Sequence, residues 1–503
     1  MLLSALIADL PWATCDKDAE VMRVAVDSRR VRAGDLFVAV RGQLQDGARF
    51  VPAAIEAGAA AVAAETDIDI GVPLVRVPDA RRFAARAAHR LAGDPTAGMT
   101  LIGVTGTNGK TTVTYLLEEV LKAWGRKVGV IGTVNYRYNG KTVEARFTTP
   151  EAPDLLAMLV EMKDAGVDTV LMEVSSHALQ LRRVVGCQFD AGVFTNLSRD
   201  HLDFHGAIDA YLAAKRILFD EILPVAASSK PDVFAAINMD DPAGVKVYEA
   251  TPVRCIGYGH DETISWRDHV CDFSGLRGSL QYGDETVDLT CPLLGDFQAS
   301  NVLAAAAVCY GLKVEGSALA QGLANCRRVP GRLDPVGERD FLVLVDYAHT
   351  PDALENVLST LRRLATGRVI TVFGCGGDRD KGKRPLMGKA VADRSDLVLV
   401  TSDNPRTENP QAIIDMILTG VNRVGLPRMT GKELSSWNGS PAYVVEPDRT
   451  TAINLAVAAA RPGDVLLIAG KGHENYQIIG HERIHFDDRE VAAEALAKRS
   501  QTE

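Results

Sequence analysis

The run Thr105-Gly106-Thr107-Asn108-Gly109-Lys110-Thr111-Thr112 carries the residue types that hold a triphosphate. Glycines let the backbone curl until several N–H groups face one anion, Lys110 can reach the outer phosphate oxygens, and the Thr111 hydroxyl can face Mg²⁺. The usual spacing puts another glycine five positions before Gly109, where this chain has Val104. Glu173 ends an apolar stretch and precedes Val174-Ser175-Ser176-His177, a position from which a carboxylate can hold a hard cation directly or through water. The plainer alternative for an acid there, and the weaker of the two, is a helix cap. The stretch from Thr195 to Gly206 gathers Arg199, Asp200, His201, Asp203 and His205 behind another apolar run. Lys215, in the helical pattern Tyr211 to Phe219, reads by itself as an ordinary solvated helix lysine.

These residues need elements to position them. An apolar run at 101–104 precedes the loop, and apolar residues recur at helical spacing from Val113 to Leu121 until Gly125 stops them. Strands are expected at 127–131, 169–174, 191–195 and 233–237, alternating with helical stretches, which predicts a mostly parallel sheet across a central domain of residues 96–328. Residues 1–95 read as a smaller α/β domain closed by a turn-rich linker at 93–98. After Val329-Pro330-Gly331, near-continuous apolar runs at 341–345, 368–373, 397–401 and 464–469 predict a doubly wound, Rossmann-like domain of residues 329–503. Ligands gather at the carboxyl ends of such strands. Asp346, the glycines 374, 376 and 377, Ser402 to Arg406, and Gly470 to Glu474 all follow those runs.

A length of 503 residues suits about three domains, each large enough to bury a core. With 47% hydrophobic and 24% charged residues the composition is that of a soluble globular protein, and a net charge of −10 argues against a nucleic-acid groove. No apolar run approaches a membrane span, and the segment from Met1 to Leu6 lacks the basic start of a signal peptide, so a cytoplasmic protein is expected. The eight cysteines never fall at C-x-x-C spacing and read as reduced thiols.

In this order, the loop, Glu173 with Ser175-Ser176-His177, Asn196 to Gly206 and Tyr211-x-x-x-Lys215 resemble the Mur ligase family, ATP-dependent amide-forming enzymes of bacterial cell-wall precursor synthesis. The resemblance runs from Asp27-Ser28-Arg29 to Gly470-Lys471-Gly472-His473-Glu474, and it accounts for Val104, since the family's loop begins at Thr105-Gly106. It implies catalytic roles for Lys110, Glu173, His201 and Lys215, with Mg²⁺ on Thr111, Glu173, His201 and a CO₂-derived carbamate on Lys215. ATP would be held by Thr105 to Thr112 together with Asn301, Arg332, Asp346 and His349. The UDP end of the acceptor would meet Val26, Ser28, Gln43, Leu44 and Gln45, and its muramoyl-dipeptide Thr148, Thr149, Ser175 and Arg183. Leu181 stands where some members carry glutamine.

The motif Asp403-Asn404-Pro405-Arg406 is similar to that of members adding meso-diaminopimelate to a UDP-N-acetylmuramoyl dipeptide. A distal amino acid terminus needs a guanidinium for its carboxylate and an acid for its ammonium, which Arg406 with Arg379, and Glu474 with Gly470, would supply. The implied partners are small molecules, with no nucleic acid and no membrane insertion, and the implied state is a monomer. Two other readings stay open. Lysine-adding members of the family use a substrate without the distal carboxylate that Arg406 would grip. A non-catalytic phosphate-loop regulator is the other, although the chain has no Asn-Lys-x-Asp base reader and keeps Glu173, His201 and Lys215.

Overall fold

The computed structural model describes residues 1–42, 45–326, 328–337 and 339–500. Three sheets follow one another along the chain. The first has five strands in the order Thr14–Cys15, Leu74–Arg76, Ala61–Ala64, Asp35–Val38 and Arg23–Ala25, all parallel except the first. Its helix Ala80–Leu91 starts where the Asp79 carboxylate accepts the Arg82 N–H, and Phe83, Ala84, Ala87 and Ala88 are buried.

The central sheet has eleven strands. Its spine is parallel, in the order Arg254–Tyr258, Phe234–Asn238, Ala191–Phe194, Thr100–Thr105, Thr169–Glu173 and Val128–Ile131. The sheet is mostly parallel as expected, with antiparallel additions at both edges. An antiparallel meander, Ile264–Asp272, Gly275–Tyr282 and Glu285–Cys291, extends one side, and a hairpin of Asn135–Tyr138 and Lys141–Glu144 the other. The third sheet runs Asp334–Pro335, Leu342–Asp346, Val465–Ala469, Val369–Phe373, Leu397–Val400, Ala442–Val445 and Arg428–Met429, antiparallel only at Asp334–Pro335. Helix residues Leu358 and Ile414 cover one face and Ile453 and Leu496 the other, so the sheet is doubly wound.

The first module buries a cluster of its own around Phe37, Val51 and Val62, and a second cluster crosses into the central module. Leu3, Leu6, Phe83 and Ala87 of the first module share a single apolar cluster with Leu159, Met162, Phe189 and Leu223 of the central one. The 93–98 segment is a packed seam: Pro95 and Thr96 are buried, and Thr96 Oγ1 accepts the Gln188 N–H at 3.1 Å. The seam between the central and third modules is more polar, although Leu294 and Phe297 of the central module pack against the third-module core. Asn108 Nδ2 donates to Asp352 at 3.0 Å, Arg199 Nε to Asp380 at 3.2 Å, and Lys383 Nζ lies 3.4 Å from Asp200. Arg363 pairs with Asp296 across the same seam.

Candidate active site

Strand Thr100–Thr105 lies between two parallel neighbours, so its carboxyl end opens in the middle of the sheet. The loop that follows depends on glycine twice. Gly106 has φ +149° and a Cβ there would lie 1.8 Å from Thr195 Oγ1; Gly109 has φ +87° and a Cβ there would lie 2.4 Å from Asn301 Oδ1. Residues after strand Ala191–Phe194 brace the loop, as the Asn108 N–H donates to Asn196 Oδ1 at 2.9 Å and the Ser198 N–H to Thr107 Oγ1 at 3.0 Å. Lys110, at the start of helix Lys110–Ala123, turns its Nζ back onto the Gly106 and Thr107 carbonyls at 2.8 and 2.9 Å. Burial lowers its pKa, against the pull of Glu173 and Asp200.

Glu173 pairs in register with Val104 on the neighbouring strand, which sets its carboxylate beside the loop. It accepts hydrogen bonds from Thr111 Oγ1 at 3.0 Å, the Thr133 N–H at 2.9 Å and Thr133 Oγ1 at 2.8 Å. His201 sits at φ +53° with Nε2 3.3 Å from Asp200 Oδ2, and burial, opposed by Asp200, holds its pKa down to about 3, so the ring is neutral.

Lys215 is not the solvated lysine its local pattern suggests. It lies one turn after Tyr211 in helix Ile208–Ile217, ahead of a π-turn at Leu218–Ile222, and is only 1% exposed. Its Nζ donates to the Gly106 carbonyl at 2.7 Å and lies 4.2 Å from the Tyr211 ring centroid. Burial first, and the charge of Lys110 second, depress its pKa well below the ordinary lysine value. Among the described residues no group of three or more His, Cys, Asp or Glu side chains is arranged to hold a metal. The oriented Glu173–Thr111 pair beside the loop presents oxygen atoms of the kind that hold a hard cation.

A cavity of about 360 Å³ is bounded by the phosphate loop, Glu173, His201 and Lys215 on the central side and by Arg332 and His349 on the third. Arg332 Nη2 donates to Thr111 Oγ1 at 3.3 Å and its guanidinium lies 4.6 Å from the Tyr347 ring centroid. His349 Nδ1 donates to the Tyr347 carbonyl at 2.7 Å. Asn301 accompanies Gly109 at the cavity wall, with Nδ2 donating to Gln298 at 2.8 Å. Asp346 is committed to the backbone: its two oxygens accept the Leu333 and Ala348 N–H groups, each at 2.7 Å, and burial raises its pKa. It shapes the turn that carries Ala348 and His349.

Val26, Ser28 and Gln45 border a second, larger groove of about 1120 Å³ between the first and central modules, with Arg81, Phe147 and Glu151. Gln43 and Leu44 lie outside the described residues. Where this groove approaches the first cavity, Thr148 Oγ1 is 3.0 Å from Thr133 Oγ1 and Thr149 Oγ1 donates to the Glu173 carbonyl at 2.8 Å. Ser175 caps helix Ser176–Gln180 by accepting the Ala178 N–H at 3.2 Å, and Leu181 ends that helix. Arg183 donates to the Thr149 carbonyl at 2.9 Å and pairs with Glu151 at 2.5 Å.

The remaining expected residues cluster on the third sheet. Arg406 adopts φ +50° and its Nη1 donates to the Gly377 carbonyl at 2.7 Å; burial and the nearby charge of Arg379 lower its pKa. Asn404 is oriented at both ends of its amide, accepting from Lys471 Nζ at 2.9 Å and donating to Glu474 Oε2 at 2.9 Å. The turn itself is tight, since a Cβ on Gly377 would lie 1.9 Å from the Pro405 carbonyl oxygen; Gly470, at φ +117°, lies against Asp403. Burial and the charge of Asp403 push the Glu474 carboxyl up to about 7. Sequence reasoning missed Lys471, a buried ammonium 3.2 Å from Asp403, and the Lys383–Asp200 pair across the seam. Each lay inside or next to a flagged motif, but neither partner is recognisable without the fold.

Comparison with known proteins gives this geometry a setting. Three family patterns match in succession: "Mur ligase family, catalytic domain" over residues 20–90, "Mur ligase middle domain" over 104–309, and "Mur ligase, glutamate ligase domain" over 331–472. A relative from Geobacter metallireducens, a UDP-N-acetylmuramoyl-L-alanyl-D-glutamate–2,6-diaminopimelate ligase, is 47% identical over 96% of this chain and 95% of its own. One of the same description from Geobacillus thermodenitrificans is 42% identical over 99% and 100%. A solved structure described in the same words matches with TM-score 0.65 at 32% identity, covering 95% of both chains. The MurF ligase of Thermotoga maritima, solved with ADP, shares the fold at TM-score 0.62 and 20% identity over 96% of this chain and 97% of its own. With such identity along nearly its whole length, the chain belongs to the Mur ligase family.

Proposed function

We propose that this chain is an ATP-dependent, ADP-forming ligase that joins meso-2,6-diaminopimelate to the D-glutamyl γ-carboxylate of UDP-N-acetylmuramoyl-L-alanyl-D-glutamate in cytoplasmic peptidoglycan precursor synthesis. One observation carries the reading: the phosphate loop, the Glu173–Thr111 pair and the buried Lys215 amine converge on one cavity between two modules. The relatives' activity agrees with it.

A carboxylate does not condense with an amine in water, so it first attacks the γ-phosphate of ATP, giving an acyl phosphate and ADP. The amine then adds to the acyl carbon, and the tetrahedral intermediate collapses to amide and phosphate. Two anions must meet in the first step, and Lys110 and Arg332 are the cations at the cavity wall that offset them. Mg²⁺ would be held by Thr111, Glu173, His201 and a carbamate on Lys215, and when bound it neutralises charge on the phosphoryl oxygens. The residues suit both groups. Burial holds the His201 pKa low, so its ring offers a lone pair, and burial shifts Lys215 toward the unprotonated amine, the form that captures CO₂.

In this reading residues 1–95 and the groove with Val26, Ser28 and Gln45 take the UDP end. Residues 96–328 bind nucleotide and, through Thr148, Thr149, Ser175 and Arg183, the muramoyl-dipeptide. Residues 329–503 hold the distal end of diaminopimelate through Arg379, Asn404, Arg406 and Glu474, with Asp403, Pro405 and Gly470 shaping the turn. The protein acts as a monomer on small molecules. No helix among the described residues is long and apolar enough to cross a membrane, and all eight cysteines are free thiols. The test is phosphate release with the UDP-linked dipeptide, ATP and either meso-diaminopimelate or lysine. Turnover with diaminopimelate and little with lysine is expected; equal use of both would overturn the assignment of the amino acid.

A further inference from the structure

Arg406 is laced to a part of the third module that sequence motifs do not mark. Its N–H donates to the Ile478 carbonyl at 3.1 Å and the Gly480 N–H donates to the Arg406 carbonyl at 2.8 Å, making a parallel bridge with Ile479. The Ile478 N–H donates to Asn404 Oδ1 at 3.0 Å and Gln477 Nε2 to the Asp403 carbonyl at 2.6 Å. Strand Tyr476–Ile479 is thus stitched along the 403–406 segment, and with Glu482–His485 it forms a separate two-stranded hairpin. The second strand is exposed at every residue, yet one side chain leaves the module. Arg483 Nη2 lies 2.6 Å from Glu144 Oε1, the last residue of edge strand Lys141–Glu144 of the central sheet. The same guanidinium lies 3.9 Å from the Tyr476 ring centroid. Glu144 borders the groove of about 1120 Å³ that also contains Ser28.

We propose that Arg483 is a positioning residue that couples the acceptor groove to the amino-acid pocket, because it joins Glu144 of the groove to the hairpin whose first strand, under its guanidinium at Tyr476, sets the backbone of Arg406. The inference rests on the functional reading above for what those two sites bind. At φ +50° Arg406 holds a conformation that side-chain-bearing residues seldom adopt, so its direction depends on the two backbone bonds from the hairpin. Side-chain exposures of 50% and 69% mean that the Arg483–Glu144 pair does little for folding. Between two modules it acts through orientation, and whatever the acceptor does for diaminopimelate binding, diaminopimelate does equally for the acceptor.

The experiment uses the full chain with R483A, R483K, E144A and the exchange R483E/E144R, in steady-state assays of all three substrates. R483A and E144A should each raise the KM for diaminopimelate by about two- to fivefold, the range expected of one exposed ion pair. The KM for ATP and the melting temperature should stay at wild-type values, and both R483K and the charge exchange should recover most of the loss. A wild-type diaminopimelate KM in both single variants, or no recovery in the exchange, would overturn the coupling while leaving the ligase assignment intact. A wild-type enzyme that does not use diaminopimelate would overturn both.

Discussion

A lysine amine that is wholly buried, with a carbonyl and an aromatic face as neighbours and a second lysine close by, holds its proton poorly. Lys215→Ala should lower turnover by at least about a hundredfold, the scale set by removing one group that stabilises transition-state charge. Lys215→Arg should do the same, since a guanidinium stays protonated and cannot carry a carbamate. Phosphate release measures both, with circular dichroism checking the fold; near-normal turnover in either would remove the carbamate from the mechanism. Arg406→Ala should raise the KM for diaminopimelate by about ten- to a hundredfold, from roughly 1.5–3 kcal/mol for a charged hydrogen bond. Its KM for ATP should not change, and a matching rise there would mean that the side chain serves the whole fold. Glu474 adds a pH dependence. Its folded pKa of about 7 lies above the ordinary glutamate value of 4.5, so the native state binds more protons between the two values. Stability linked to this group is therefore fully present below about 4.5 and declines as pH rises through 7. Thermal melts at pH 5 and pH 8 should show wild type losing more stability over that interval than Glu474→Gln.

At the level of elements, the eight strands read from apolar runs lie within one residue of the observed ones, as with 397–401 against Leu397–Val400. Strands buried on both faces need continuous apolar sequence, so their pattern is strong. The exposed additions are another matter. Strands Lys141–Glu144 and Glu482–His485 are solvated at every position, leaving no alternation to detect, and Arg483 was hidden with them. The loop glycines were legible as a motif, while their reason is tertiary: Thr195 and Asn301 occupy the space a side chain would need. Asp346 shows the same limit, since sequence marks a strand-end acid and only the fold shows both oxygens held by backbone. Gly109→Ala, forced to φ +87° against Asn301, should weaken ADP binding by at least about fivefold, given roughly 1–3 kcal/mol for a strained left-handed residue. Calorimetric titration would measure it, and unchanged affinity would mean that the loop can relax.

At the scale of the whole molecule, the two seams differ in kind. A large apolar cluster fuses the first and central modules, whereas the third is joined by Leu294 and Phe297 and by charged and amide contacts such as Arg199–Asp380 and Lys383–Asp200. Any opening and closing should therefore pivot near residues 329–331, with residues 1–326 moving as one body. Small-angle scattering should show the ligand-free protein expanding as salt rises and compacting again with nucleotide and acceptor. Dimensions that ignore both salt and ligands would argue for a rigid molecule. The fused core also bears on how the chain is made. Residues 1–95 leave the ribosome first, yet the apolar cluster they belong to is completed only by Phe189, Leu223 and Val247. At about 5–20 residues per second the first sheet waits on the order of ten to thirty seconds for its partners, with an uncovered apolar face. Nascent chains halted before residue 189 should be open to protease, and protection should arrive for both modules together.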